Sequence, residues 1–120
     1  PCTATGTILR HPDLPWIKGA ADVTAQESSS YDLLESAAHM VEEDGLLVFA
    51  VCSLEREEGE EQIAAFLSGH REFRHEPIKP GEIFDHADWL SPQGDLRTLP
   101  CHLADQGGMD GFYAAKLRRL

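Results

Sequence analysis

The chain has 120 residues, 42% of them hydrophobic, and a formal net charge of −11, which gives room for one modest domain with a limited core. No apolar run approaches a membrane span and no basic-then-apolar leader is present, so a soluble, cytoplasmic protein without membrane or metal partners is expected. The acidity argues against nucleic-acid binding, which draws its affinity from Lys and Arg on phosphates. It is a weak veto, because Glu55, Glu57, Glu58, Glu60 and Glu61 form one acidic run while Lys116, Arg118 and Arg119 cluster at the other end.

Pro1 to Lys18 holds Gly6 and the prolines Pro1, Pro12 and Pro15, and reads as a loop wrapped around a site, with at most a short helical turn. It opens on a turn-type segment, so a longer natural protein is expected upstream. From about Val23 to Glu43 apolar residues recur at helical spacing until Asp44-Gly45 stops the helix. Leu46 to Cys52 is a continuous apolar run, the pattern of a strand covered on both faces in a parallel sheet. A helix follows from Glu57 to His70, with Ile63, Phe66 and Leu67 on one face and glutamates in its first turns, where the helix dipole favours them. Lys79 to Gly94 reads as a long irregular loop anchored by Phe84 and Trp89, and Gly111 to Leu117 as a final, partly buried strand. The succession of strand, loop and helix points to an α/β fold of the doubly wound kind.

Ligands in such folds gather beyond the carboxyl ends of strands, where both Cys52-Ser53 and the Pro1 to Gly6 loop belong. Cys2, Cys52 and Cys101 are odd in number and far apart, which suits reduced thiols better than a disulfide framework. A thiol ahead of a helix N-terminus can be activated as a nucleophile, yet the neighbouring glutamates oppose this. Taken alone, Cys52 is open to two interpretations, a catalytic thiol or a small buried hydrophobe. No Cys-x-x-Cys or His-x-x-x-His pair occurs, and Cys101-His102 are adjacent, so no metal site is expected. His11-Pro12-Asp13 matches a co-chaperone tripeptide but lacks the basic helix before it. Cys101 is expected to be structural, the glutamate run a solvated helix start, and Trp16 and Trp89 packing anchors, although an exposed Trp16 could stack on a nucleotide.

Three motifs in order carry a resemblance. Pro1-Cys2-Thr3-Ala4-Thr5-Gly6 with Arg10-His11-Pro12-Asp13, Cys52-Ser53-Leu54 with Glu58-Gly59-Glu60, and Asp110-Gly111-Phe112-Tyr113-Ala114 resemble the RNA cytosine-5 methyltransferases of the Sun (NOL/NOP/Sun) family. The resemblance implies that residues 1–120 are the C-terminal part of a Rossmann-like, S-adenosylmethionine-dependent catalytic domain acting on RNA, most commonly ribosomal RNA. It implies Cys52 as the thiolate that adds to carbon 6 of cytosine and Cys2 as the thiol that assists product release. Arg10, His11 and Ser53 become candidates for substrate contact, Arg10 on a phosphate, and the target base would have to be unstacked into the cleft.

The sequence departs from the family at Val51, where Thr is usual, and at Gly59, where Asn is usual. The family's glycine-rich cofactor loop, the acidic residue that grips the ribose and the one that holds the cytosine edge precede the Pro-Cys motif, so no cofactor-binding residue is expected here. The alternative is a non-catalytic remnant or interaction module that keeps the fold.

Overall fold

The apolar run forms strand β1 (Leu46–Val51), and the final segment forms β4 (Phe112–Arg119), which lies beside β1 at the centre of a four-stranded sheet. Residues 1–120 are described by a computed structural model. Ahead of β1 come a single-turn helix α1 (Leu14–Ile17) and the long α2 (Ala20–Ala38); after it follow α3 (Glu60–Gly69), β2 (Phe73–His75) and β3 (Leu96–Thr98).

All pairings are antiparallel. β1 runs along one edge of β4, with Leu47 opposite Leu117, Phe49 opposite Ala115 and Val51 opposite Tyr113. On the other edge β2 pairs with the C-terminal end of β4 and β3 with its N-terminal end. Because side chains alternate along a strand, this register puts Leu47, Phe49, Val51, Tyr113, Ala115 and Leu117 on one face, where they are buried with Ile63 and Phe66 of α3, Leu34 and Ala38 of α2, and Phe73. The α/β architecture expected from sequence is present, but its sheet is antiparallel and the chain covers only one face of β1. Leu46 and Val48 on the opposite face are exposed, Val48 at 61%. A continuous apolar run specifies a strand without specifying its neighbour's direction, which here is set by β4.

α2 stops at Ala38, five residues before the expected end at Glu43. The Arg119 guanidinium on β4 donates to the carbonyl oxygens of Val41 (2.5 Å) and Ala38 (3.4 Å), capping the helix end from far along the chain. α3 begins at Glu60 rather than Glu57, leaving Leu54 to Gly59 as a turn. Lys79 to Gly94 is irregular apart from two 3-10 turns, as expected, and is closed at its base by the Ile78 N–H on the Gly94 carbonyl (2.9 Å). Trp89 stacks on His86 at 3.8 Å. The other two expected anchors pack on nothing: Phe84 is 90% exposed and Trp16 89%, because each sits on a loop or short helix with no facing element. No helix is long and apolar enough to cross a membrane.

Candidate active site

β1 ends at Val51 and hands the chain to Cys52 at the rim of the sheet. The Pro1 to Thr7 loop lies against this end: the Gly6 N–H donates to the Cys52 carbonyl (3.0 Å), and the Gly111 N–H donates to the Gly6 carbonyl (2.7 Å). Gly6 is thus held between the two other motif segments. A Cβ at this position would lie 1.9 Å from the Gly111 oxygen and 2.9 Å from the Cys52 oxygen, so only glycine permits the approach. Ala4, two residues earlier, takes a left-handed conformation (φ 59°), and its carbonyl accepts hydrogen bonds from both the amide and the hydroxyl of Thr7. Cys2 and Cys52 meet with their sulfurs 3.6 Å apart, both half-buried and unbridged.

The turn after Cys52 is fastened to the same loop by side chains. Glu58 is 0% exposed and accepts from the Thr3 amide (2.7 Å), the Thr3 hydroxyl (2.7 Å) and the Ser53 hydroxyl. The Leu54 N–H donates to the Thr5 hydroxyl oxygen (2.9 Å). Arg97 on β3 donates to the Ser53 carbonyl (2.5 Å), forks onto Glu60 and lies over the Tyr113 ring, 5.0 Å from its centroid. The expectation of a solvated glutamate run therefore fails at two positions: Glu58 is interior and Glu60 is an ion-pair partner, while Glu57 and Glu61 do face solvent. Helical spacing could not single out Glu58, because it lies in the turn before α3.

Arg10 comes near Cys52 with its side chain 64% exposed and pairs with Asp110 (2.5 Å). Asp110 and Cys52 are close enough for the carboxylate's charge to act on the thiol. His11 is exposed and its ring makes no bond to the protein. Ser53, expected to touch substrate, is instead buried with its hydroxyl committed to Glu58; its position after Cys52 turns it inward. Cys101 is exposed in a turn and its thiol makes no hydrogen bond. The basic cluster is also spent: Lys116 pairs with Glu82, Arg118 with Glu76, and Arg119 caps α2. Asp110 belongs to the third motif, but its pairing with Arg10 is not legible there, and Arg97 carries no local signal, since the partner of each lies in a different segment.

Burial pushes the Cys52 thiol above its ordinary pKa, and the hydrogen bond to Cys2 and the charge of Cys2 push the same way. Cys52 therefore holds its proton more tightly than an ordinary thiol does. The hydroxyls and the carboxylate around the thiols are paired with one another.

Residues 1–118 match the family model described as 16S rRNA methyltransferase RsmB/F. The chain belongs to this family. A relative named ribosomal RNA small subunit methyltransferase B, from Thermus thermophilus, is 43% identical over 121 residues, which take in 100% of this chain and 28% of the relative. Among solved structures, the crystal structure of PH0851 superposes with a TM-score of 0.84 at 32% identity, over 99% of this chain and 25% of that one. NSun6 from Pyrococcus horikoshii with SFG gives 0.76 at 23% identity, over 99% and 28%, and supports the shared fold. The chain thus spans about a quarter of the length of this relative and of these solved structures.

Proposed function

We propose that this chain is the C-terminal part of the catalytic domain of a cytoplasmic, S-adenosylmethionine-dependent cytosine-5 methyltransferase acting on ribosomal RNA, with Cys52 as nucleophile and Cys2 assisting release. The observation that carries this is the 3.6 Å approach of two thiols from segments fifty residues apart, in a chain of the RsmB/F family. The curated relatives named ribosomal RNA small subunit methyltransferase B support the substrate class. The methyl donor and the residues that hold it belong to the part of the protein outside this chain.

Carbon 5 of cytosine is too weak a nucleophile to take a methyl group unaided. Cys52 loses its proton and its thiolate adds to carbon 6, which moves electron density onto carbon 5, and carbon 5 accepts the methyl group. A base then takes the carbon 5 proton, the electron pair of that bond re-forms the carbon 5–carbon 6 double bond, the carbon 6–sulfur bond breaks, and Cys52 leaves as thiolate. Cys2, adjacent to the departing sulfur, assists this last stage. Exposed Arg10, near Cys52, is a phosphate contact in exchange for Asp110, and exposed His11 follows it in the chain.

The test uses the full-length protein. With small-subunit ribosomal RNA and methyl donor, Cys2→Ala accumulates a covalent protein–RNA adduct on a denaturing gel. Cys2→Ala combined with Cys52→Ala forms none. An adduct that survives the double change removes Cys52 as nucleophile, and its absence in both variants supports a non-catalytic remnant.

A further inference from the structure

Glu58 is a completely buried carboxylate with no Lys, Arg or His partner. Burying such a charge is costly unless hydrogen bonds replace its water, and each replacement here comes from a residue next to a cysteine. Thr3, which follows Cys2, gives its amide and its hydroxyl; Ser53, which follows Cys52, gives its hydroxyl. The direction of the network follows from proton counting. Ser53 has one hydroxyl proton and donates it to Glu58, so its oxygen accepts from the Glu55 N–H (3.0 Å) and from the Thr5 hydroxyl (3.2 Å). Thr5 in turn accepts from the Leu54 N–H. The side-chain hydrogen bonds across the two loops therefore converge on one carboxylate.

We propose that Glu58 is the positioning residue of the two-cysteine site: by holding Thr3 and Ser53 on one rigid group, it sets the separation of the Cys2 and Cys52 sulfurs. Gly6 and Thr5 also tie this loop to the other, but four and three residues from Cys2; Glu58 grips it one residue away. The consequence for catalysis rests on the proposed cysteine mechanism, whereas the separation of the sulfurs does not.

The two are separated by a thiol-exchange experiment on the full-length protein with every cysteine except Cys2 and Cys52 changed to serine. One equivalent of dipyridyl disulfide is added. A first thiolate attacks the reagent's sulfur–sulfur bond and expels one pyridinethione; the second thiolate attacks the mixed disulfide, expels the other and closes the Cys2–Cys52 bond, both thiol protons passing to solvent. The parent releases the second pyridinethione rapidly. Glu58→Ala slows that second release at least about tenfold, and Glu58→Gln, which keeps the shape and one acceptor, falls between and carries the test if the alanine variant does not fold. Ile63→Val, a core change in the helix that follows, leaves it at the parental rate. Closure at the parental rate in both folded Glu58 variants, or equal slowing in Ile63→Val, overturns the proposal. Slow closure with undiminished RNA methylation leaves the positioning role standing and removes the two-cysteine account of the reaction.

Discussion

Replacing Gly6 by alanine introduces a Cβ 1.9 Å from the Gly111 oxygen and 2.7 Å from the Gly111 carbonyl carbon, both of them backbone atoms that no rotamer change can clear. Ordinary contact begins near 3.4 Å, so the two backbones must part by about 1.5 Å in a packed site. That displacement breaks the bonds joining Gly6 to Cys52 and to Gly111, at about 1 kcal/mol each, and adds overpacking strain of about 1–3 kcal/mol. The expected loss is about 3–5 kcal/mol, a large part of the stability of a small domain. Urea unfolding of residues 1–120 should show a midpoint lower by about 2 M at a slope of about 2 kcal/mol/M. In the full-length protein, methyl transfer should fall about a hundredfold, since misplacing a reacting group by about 1 Å is enough for that. A stability change below about 0.5 kcal/mol with normal turnover would refute the idea that Gly6 joins the three motif segments by close approach.

Ala4→Gly should act in the opposite sense only two residues away, raising stability by about 1 kcal/mol in thermal unfolding because glycine accepts φ 59° without strain; destabilisation would refute this. Alkylation of Cys52 by iodoacetamide in a Cys101→Ser background should rise with pH through a midpoint above that of an ordinary thiol, and Cys2→Ala should lower the midpoint. The folded state holds this proton more tightly than the unfolded chain, so the associated stability is intact below the ordinary thiol pKa and is lost as pH climbs through the raised value. Arg97→Lys loses the planar fork onto Glu60 and the stack on Tyr113 and should cost about 1–3 kcal/mol by chemical denaturation; no loss would show the fork to be dispensable. Calorimetry of residues 1–120 with S-adenosylmethionine should detect no binding near a Kd of about 1 µM, and a clear isotherm there would place cofactor residues within this chain.

What the sequence carries plainly is local. The unbroken apolar run at Leu46 to Val51, the Ile63 and Phe66 face of α3 and the terminal strand all follow from spacing and composition, and the two cysteines follow from motifs on either side of the first strand. What it hides depends on partners distant along the chain. The end of α2 is set by Arg119, the direction of the sheet by β4, and the inward turn of Glu58 by hydroxyls at Thr3 and Ser53. Trp16 and Phe84 show the converse: large apolar side chains mark a place for burial only when an element faces them.

β2 and β3 lie end to end along one edge of β4, and the stretch between them is closed at its base by Ile78 and Gly94. The chain therefore leaves the sheet and re-enters beside its point of departure. Lengthening this excursion changes neither end, and each doubling of a flexible loop costs only about 0.6 kcal/mol in closure entropy. The Pro1 to Thr7 and Cys52 to Gly59 segments are interlocked atom by atom and admit no such change. Variation in length can thus accumulate in the excursion beyond β2 while the thiol pair keeps its dimensions.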